Sequence, residues 1–282
     1  MRTADVEKRD GEVERLLAAS LKAMGHQRPL PAPLLPDHYD PAFVNADRDL
    51  SILVTGLRAT SDARLCLYGP PGTGKTAFAH YLGRSLDRSV LIKRGSDLLD
   101  PFLGGTEQMI ANAFREARDE KAILVIDEAD GFLRDRAMAH HSWEVTQVNE
   151  LLTQMEGFNG TFIASTNLVD MLDAASLRRF DFKVKFDYLR CDQKRALLRV
   201  VAGDMERDSE VQKPVLARLD GLETLTPGDF SNVLRQLRIT GQPAASSNIV
   251  ALLAAEAAMK PEGRHRTVGF TARWRDNDVV AG

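Results

Sequence analysis

Eight residues, Gly69-Pro70-Pro71-Gly72-Thr73-Gly74-Lys75-Thr76, fit the phosphate-binding pattern G-x-x-x-x-G-K-[ST]. The apolar run Leu65-Cys66-Leu67-Tyr68 precedes them and a helix-compatible run follows from Ala77, which is the context the pattern requires. The glycines let backbone N–H groups turn in toward phosphate oxygens, and the helix that follows offers its positive end. Lys75 supplies a mobile cation and Thr76 a hydroxyl for Mg²⁺. A nucleoside triphosphate is the expected ligand. Further along, Asp127 and Glu128 end the apolar run Ile123–Ile126. The carboxyl end of a strand in an open parallel sheet is where ligands bind. There Asp127 is expected to hold the metal, directly or through water, and Glu128 to orient and polarise a water for attack on the γ-phosphate. Asn167 closes the next apolar run, Phe162–Thr166. Its carboxamide can bond both the attacking water and the γ-phosphate, although asparagine at a strand exit also serves simply to turn the chain. Arg178 and Arg179 follow. Paired arginines usually form a solvated face, but a guanidinium supplied from a neighbouring subunit can stabilise phosphoryl transfer by about three to five powers of ten in rate.

The elements that must position these groups follow from the apolar pattern. Continuous rather than alternating hydrophobicity over 123–126 marks a central strand covered on both faces. With 65–68, 90–92, 162–166 and the alternating Phe182, Val184 and Phe186, it gives a five-stranded parallel sheet between helices, built from right-handed crossovers. Leu50, Leu53, Val54 and Leu57 suggest a helix over 47–58. Met109, Ile110, Ala113, Phe114 and Ala117 predict a helix with Thr106 as N-cap; Val145, Val148, Leu151, Leu152 and Met155 predict another, stopped at Gly157. Beyond residue 188 strand signals cease, and 192–201, 215–219, 230–239 and 249–259 read as helices. The third opens on Thr226-Pro227-Gly228-Asp229, with a hydroxyl cap, proline at the first helical position and a carboxylate in the first turn. The fold class is therefore α/β: a P-loop NTPase domain over 47–188, followed by a small all-helical lid domain over 189–262. An amphipathic helix is expected within 1–28 (Val13, Leu16, Leu17, Leu21, Met24) and a proline-rich extended linker over 29–46. A tail over 263–282 is expected to fray past Arg275.

Composition narrows the functional classes. The 282 residues are 44% hydrophobic and 27% charged, as in an ordinary globular protein, and the net charge of -3 disfavours a sequence-independent nucleic-acid binder. The two cysteines, Cys66 and Cys191, stand outside any metal-ligand spacing and read as reduced thiols. No stretch approaches the roughly 18 apolar residues of a bilayer span, so the cytosol is expected and a membrane partner is not.

Together, Gly69–Thr76, the run 123–130 ending in Asp-Glu-Ala-Asp, Ser165-Thr166-Asn167 and Leu177-Arg178-Arg179-Phe180-Asp181 resemble the AAA family of AAA+ ATPases, over about residues 45 to 240. The chain is similar to a bacterial-type single AAA module with a katanin- and spastin-like finger region. The resemblance implies a homo-oligomer, normally a hexamer, that binds ATP and Mg²⁺. It makes Asn167 the sensor of the γ-phosphate and Arg178 and Arg179 the fingers that complete a neighbour's site. Phe102-Leu103-Gly104 is similar to the family's first pore loop, which grips an extended polypeptide. The expected activity is hydrolysis of ATP coupled to remodelling, unfolding or disassembly of a protein substrate, chosen by the short N-terminal arm, the pore or an adaptor. An alternative is a nucleotide-dependent assembly factor or helicase-loader-type switch on nucleic-acid machinery, against which the acidity and Phe102 argue. One departure is local: Thr226-Pro227-Gly228-Asp229-Phe230 stands where the family often has Ser-Gly-Ala-Asp-Ile, and it brings no cationic second sensor.

Overall fold

A computed structural model describes residues 39–60, 62–102, 104–133, 142–168, 174–202 and 212–260. The expected N-terminal helix, the linker up to residue 38, Leu103 and the C-terminal tail lie outside the described residues. The chain divides into two compact units. One comprises Arg48–Tyr68 with Lys75–Val184, and the other comprises Asp40–Asp47, Gly69–Gly74 and the chain from Lys185.

The first unit is a sheet of β2 (Ala63–Tyr68), β3 (Val90–Arg94), β4 (Ile123–Asp127), β5 (Thr161–Thr166) and the start of β6 (Phe182–Asp187), in the order β6-β2-β5-β4-β3. The pairs β2–β5, β5–β4 and β4–β3 are parallel. Its described helices are α1 (Leu50–Ala59), α2 (Lys75–Leu86), α3 (Gly105–Asp119), the single turn α4 (Asp130–Leu133), α5 (Ser142–Glu156) and the single turn α6 (Ala174–Leu177). The apolar run of β4 is fully buried, as a strand covered on both faces must be. On one face, Phe114 of α3 packs edge-on against Phe158 and tilted against Phe162, with ring centroids 5.4 and 5.2 Å apart. Leu151, Leu152 and Met155 of α5 complete that layer. α1 starts on Asp49, whose carboxylate accepts from the N–H groups of Ser51 and Ile52.

Two local expectations change. The cap of α3 is Gly104, in the left-handed region at φ 80°, and not Thr106. Thr106 sits inside the first turn, where its hydroxyl accepts from the Asp100 N–H at 3.0 Å and closes the preceding loop. In the proline-rich stretch, Pro41–Phe43 forms a 3-10 turn capped by Asp40, because proline is compatible with a first helical position.

The second unit holds α7 (Cys191–Ala202), α8 (Gln212–Asp220), α9 (Pro227–Thr240) and α10 (Ser246–Met259) around Leu198, Leu219, Phe230, Val233, Ile249 and Leu253. A sixth strand, β1 (Asn45–Ala46), pairs antiparallel with the later part of β6 through Asn45↔Asp187 and Ala46↔Phe186. Thr226 caps α9 as its sequence indicates: its hydroxyl accepts from the Asp229 N–H, and Asp229 Oδ2 accepts from the Thr226 N–H at 2.7 Å. Lys194, 2% exposed, donates to the carbonyls of Leu219, Asp220 and Leu222 at 3.4, 3.1 and 2.9 Å. It thereby satisfies backbone acceptors at the end of α8 that would otherwise have no helical partner. Among the described residues no helix is long and apolar enough to cross a membrane.

Candidate nucleotide site

Parallel register brings the ends of three strands of the first unit to one edge. Leu67 lies opposite Ser165, Tyr68 opposite Thr166, and Ile126 opposite Ala164. Asp127 and the Ser165–Asn167 exit therefore stand side by side, and α2 begins beside them at Lys75. Lys75 Nζ donates to Asn167 Oδ1 at 2.8 Å, and the Thr76 hydroxyl donates to Asp127 Oδ2 at 2.9 Å. Lys75 is only 7% exposed, and burial pushes its ammonium down to about 8, with Asp127 and Asp130 pulling the other way. A buried cation so placed gains from an anion beside it, which is what a phosphate supplies.

Three donors fix the Asp127 carboxylate. Besides Thr76, the Ser165 hydroxyl and the Glu128 N–H both donate to Oδ1, the latter at 3.1 Å. One hydroxyl and one carboxylate in contact suit Mg²⁺, which takes one or two protein oxygens and fills its octahedron with phosphate and water. Glu128 is exposed and holds φ 55°, a left-handed backbone that is uncommon for a residue with a side chain. Strain of this kind collects at functional positions and here turns the chain sharply at the end of β4. Asp130 secures the other wall: its Oδ1 accepts from the Thr166 hydroxyl and from the Asn167 N–H at 3.3 Å. The sequence reading assigned no role to Ser165 or Asp130. The signal available was their place in the Ser-Thr-Asn and Asp-Glu-Ala-Asp runs, with hydroxyl and carboxylate on neighbouring strand ends.

Within the second unit, the glycine loop is shaped by close backbone approach. Gly69 has φ 136°, and a Cβ there would lie 1.9 Å from the Phe186 carbonyl oxygen, so no larger residue fits. Gly72, at φ 78°, accepts through its carbonyl from the Gly228 N–H at 3.0 Å. The Thr73 hydroxyl donates back to the Pro70 carbonyl at 2.8 Å. The loop is thus tied both to itself and to the start of α9.

The remaining positions are dispersed over the first unit, except Cys191, which belongs to the second. Arg179 is ion-paired with Glu156, whereas Arg178 is exposed and has no ion pair among the described residues. Phe102 is 79% exposed on a loop beside Gly104. Cys66 is buried, and burial raises its thiol to about 12; Cys191 is exposed, and both are free.

Residues 65–188 match the family described as "ATPase family associated with various cellular activities (AAA)". Among individual proteins, the chain is 38% identical over 156 residues to a 26S proteasome regulatory subunit 6B homolog of Aspergillus niger, covering 51% of this chain and 37% of that protein. It is 35% identical over 182 residues to the ATP-dependent zinc metalloprotease FtsH 2 of Sphaerobacter thermophilus, covering 61% of this chain and 28% of that protein. The chain thus spans about a third of the length of these relatives. A chain of the HORMA:CdnC:Trip13 complex of E. coli MS115-1 shares the fold, with a TM-score of 0.54 at 19% identity over 72% of this chain and 76% of that one. From the sheet order, the residues at its edge and the family match, residues 65–188 form a domain of the AAA family of ATPases.

Proposed function

We propose that the chain binds ATP with Mg²⁺, hydrolyses it to ADP and phosphate, and uses the cycle to pull on polypeptide within a homo-oligomeric ring, a hexamer. The observation that carries the reading is the pair of contacts Lys75–Asn167 and Thr76–Asp127 at one sheet edge, next in sequence to the glycine loop. In this reading Gly69–Gly74 wraps the phosphates with backbone N–H groups and Lys75 neutralises the β- and γ-phosphates. Thr76 and Asp127 hold Mg²⁺, which draws charge from the β- and γ-oxygens when bound. Glu128 orients a water and receives its proton as the water oxygen bonds to the γ-phosphorus and the bond to the ADP oxygen breaks. Asn167 exchanges its bond to Lys75 for one to the γ-phosphate and so reports its presence.

Transition-state charge is balanced from a neighbouring subunit. Arg178 carries this first, because Arg179 is already held by Glu156. The helices from residue 189 act as a lid, and the exposed Phe102 contacts the substrate chain. Support for a protein substrate comes from likeness to a proteasome regulatory subunit and an ATP-dependent protease. Two free thiols fit a reducing compartment, the cytosol.

The test is Glu128→Gln. It should bind ATP normally while turnover falls by about two to four powers of ten, the usual worth of a positioned base. Turnover close to the parent rate would overturn the assignment. Turnover per chain should also rise with protein concentration and collapse in Arg178→Ala; a rate indifferent to both would refute the shared site.

A further inference from the structure

The left-handed turn at Glu128 is gripped by three neighbouring segments. Before it, Asp127 Oδ1 accepts from the Ser165 hydroxyl; after it, the Ala129 N–H donates to the Ser165 carbonyl at 2.8 Å. One residue of β5 therefore holds both flanks. From the end of β3, Gly95 is buried against the turn: a Cβ there would stand 2.4 Å from the Glu128 carbonyl oxygen and 3.3 Å from its carbonyl carbon. No side chain fits between these two backbones. Behind the turn, α4 closes with the N–H groups of Phe132 and Leu133 donating to the Ala129 carbonyl at 3.0 and 3.1 Å. Glu128 keeps its φ of 55° because the peptides around it are bonded or packed in place.

The same stretch reaches Asn167. Asp130 Oδ1 accepts from the Thr166 hydroxyl and, at 3.3 Å, from the Asn167 N–H. The hydroxyl of Thr166, a residue only 1% exposed, accepts in turn from the Leu168 N–H at 3.0 Å. One carboxylate oxygen and one hydroxyl thus set the backbone on both sides of Asn167, whose carboxamide oxygen is presented to Lys75. Asp130 lies two residues from Glu128, so displacing either strand exit displaces the other. Hydrogen-bonded networks of this kind rigidify what they join.

We propose that Gly95 and Asp130 are positioning residues for ATP hydrolysis: Gly95 leaves room for the strained Glu128 turn, and Asp130 ties that turn to Asn167. The water-orienting carboxylate and the carboxamide are thereby held at a fixed separation. This rests on the roles given above to Glu128 and Asn167. Neither positioning residue gains or loses a proton in the step. Relieving the 2.4 Å contact of a Gly95 methyl needs about 1 Å of movement, and a misplacement of that size costs about a hundredfold in rate.

The test uses the full chain carrying Gly95→Ala, Asp130→Ala or Asp130→Asn, with Gly131→Ala as control, because nothing lies within 4 Å of its added methyl. Three quantities are measured: turnover at saturating ATP, affinity for a fluorescent ATP analogue, and amide hydrogen exchange over 165–168 in the nucleotide-free chain by mass spectrometry. Gly95→Ala and Asp130→Ala should lower kcat by about tenfold to a hundredfold, with ATP affinity within about twofold of the parent. Asp130→Ala should also speed exchange over 165–168 by about tenfold. Asp130→Asn keeps an oxygen that can accept both bonds and should bring kcat back to within about threefold of the parent. Gly131→Ala should match the parent. In a Glu128→Gln background, where the positioned carboxylate is gone, Gly95→Ala should cost no more than about a further twofold. Equal losses in Asp130→Asn and Asp130→Ala would show that charge and not geometry matters, which overturns the proposal. So would the same loss from Gly95→Ala with and without Glu128, or parental kcat and exchange in Asp130→Ala. If Gly95→Ala does not melt cooperatively, the two Asp130 variants decide alone. Parental turnover in Glu128→Gln by itself overturns the reading of the site, and the proposal with it.

Discussion

Gly228→Ala tests whether the start of α9 holds the phosphate loop in shape. The added Cβ would stand 3.0 Å from Gly72 Cα and 3.1 Å from its carbonyl oxygen. These are backbone atoms and cannot rotate aside, so either Gly72 moves by a few tenths of an ångström or α9 does. Movement of Gly72 stretches the 3.0 Å bond from the Gly228 N–H and disturbs a loop whose φ of 78° leaves little freedom. Three effects compete. Alanine in place of glycine favours a helix by about 1 kcal/mol in its interior and less here, one residue past the start. Overpacking costs about 1–3 kcal/mol, and a weakened backbone hydrogen bond about 0.5–1.5 kcal/mol. The clash wins, leaving a net loss of about 1–2 kcal/mol. Because the strain falls on the loop proposed to cradle phosphates, it should appear as a roughly tenfold weaker ATP affinity, the equivalent of about 1.4 kcal/mol. The assay is equilibrium titration with a fluorescent ATP analogue in Mg²⁺, alongside thermal melting. Gly56→Ala is the control: it makes the same chemical change inside α1, where nothing lies within 4 Å of the new methyl, and should raise the melting temperature. If Gly228→Ala keeps parental ATP affinity and melts higher, as Gly56→Ala should, the contact with Gly72 does not govern the loop and the reasoning fails.

Two further outcomes are expected. His80 is 6% exposed with its Nε2 unpartnered among the described residues, and burial first, then Arg84, lowers its pKa below the ordinary 6.5 against the pull of Asp127. The unfolded chain therefore binds the proton at a higher pH than the native one. Stability is fully present above about pH 6.5 and is lost as pH falls through the window below it, by at most about 1.4 kcal/mol per pH unit. Urea midpoints across that range should show a slope that His80→Met reduces; an equal slope in both proteins would rule His80 out. Lys194→Met should destabilise the second unit by about 2–4 kcal/mol, since three carbonyls at the end of α8 lose a charged donor in a buried place. A change under about 1 kcal/mol would mean that water replaces the ammonium readily.

Much of this architecture is legible because it is written in local patterns. Ile123–Ile126 reads as a buried strand from four successive apolar residues, and Thr226-Pro227-Gly228-Asp229 as a helix start from cap chemistry that needs no knowledge of the rest of the chain. Lys75 and Thr76 follow from the glycine-loop pattern and Asp127 and Asn167 from residue type at strand ends; the parallel register sets those strand ends side by side, where the four side chains meet. What escaped depends on partners distant in sequence. β1 is two residues long, too short to carry a period, and exists because β6 offers it an edge. Thr106 has the composition of a cap, but its hydroxyl is taken by the Asp100 N–H, so the left-handed Gly104 opens the helix. Pairing of Arg179 with Glu156 distinguishes two arginines that look alike in sequence. The Gly228–Gly72 contact belongs to the same class: Pro-Gly at 227–228 reads as an altered second sensor, yet the missing methyl is what lets two backbones meet at 3.0 Å. Absence of a side chain leaves no periodic or chemical mark in a sequence, so a close approach between glycines becomes visible only once both segments are in place.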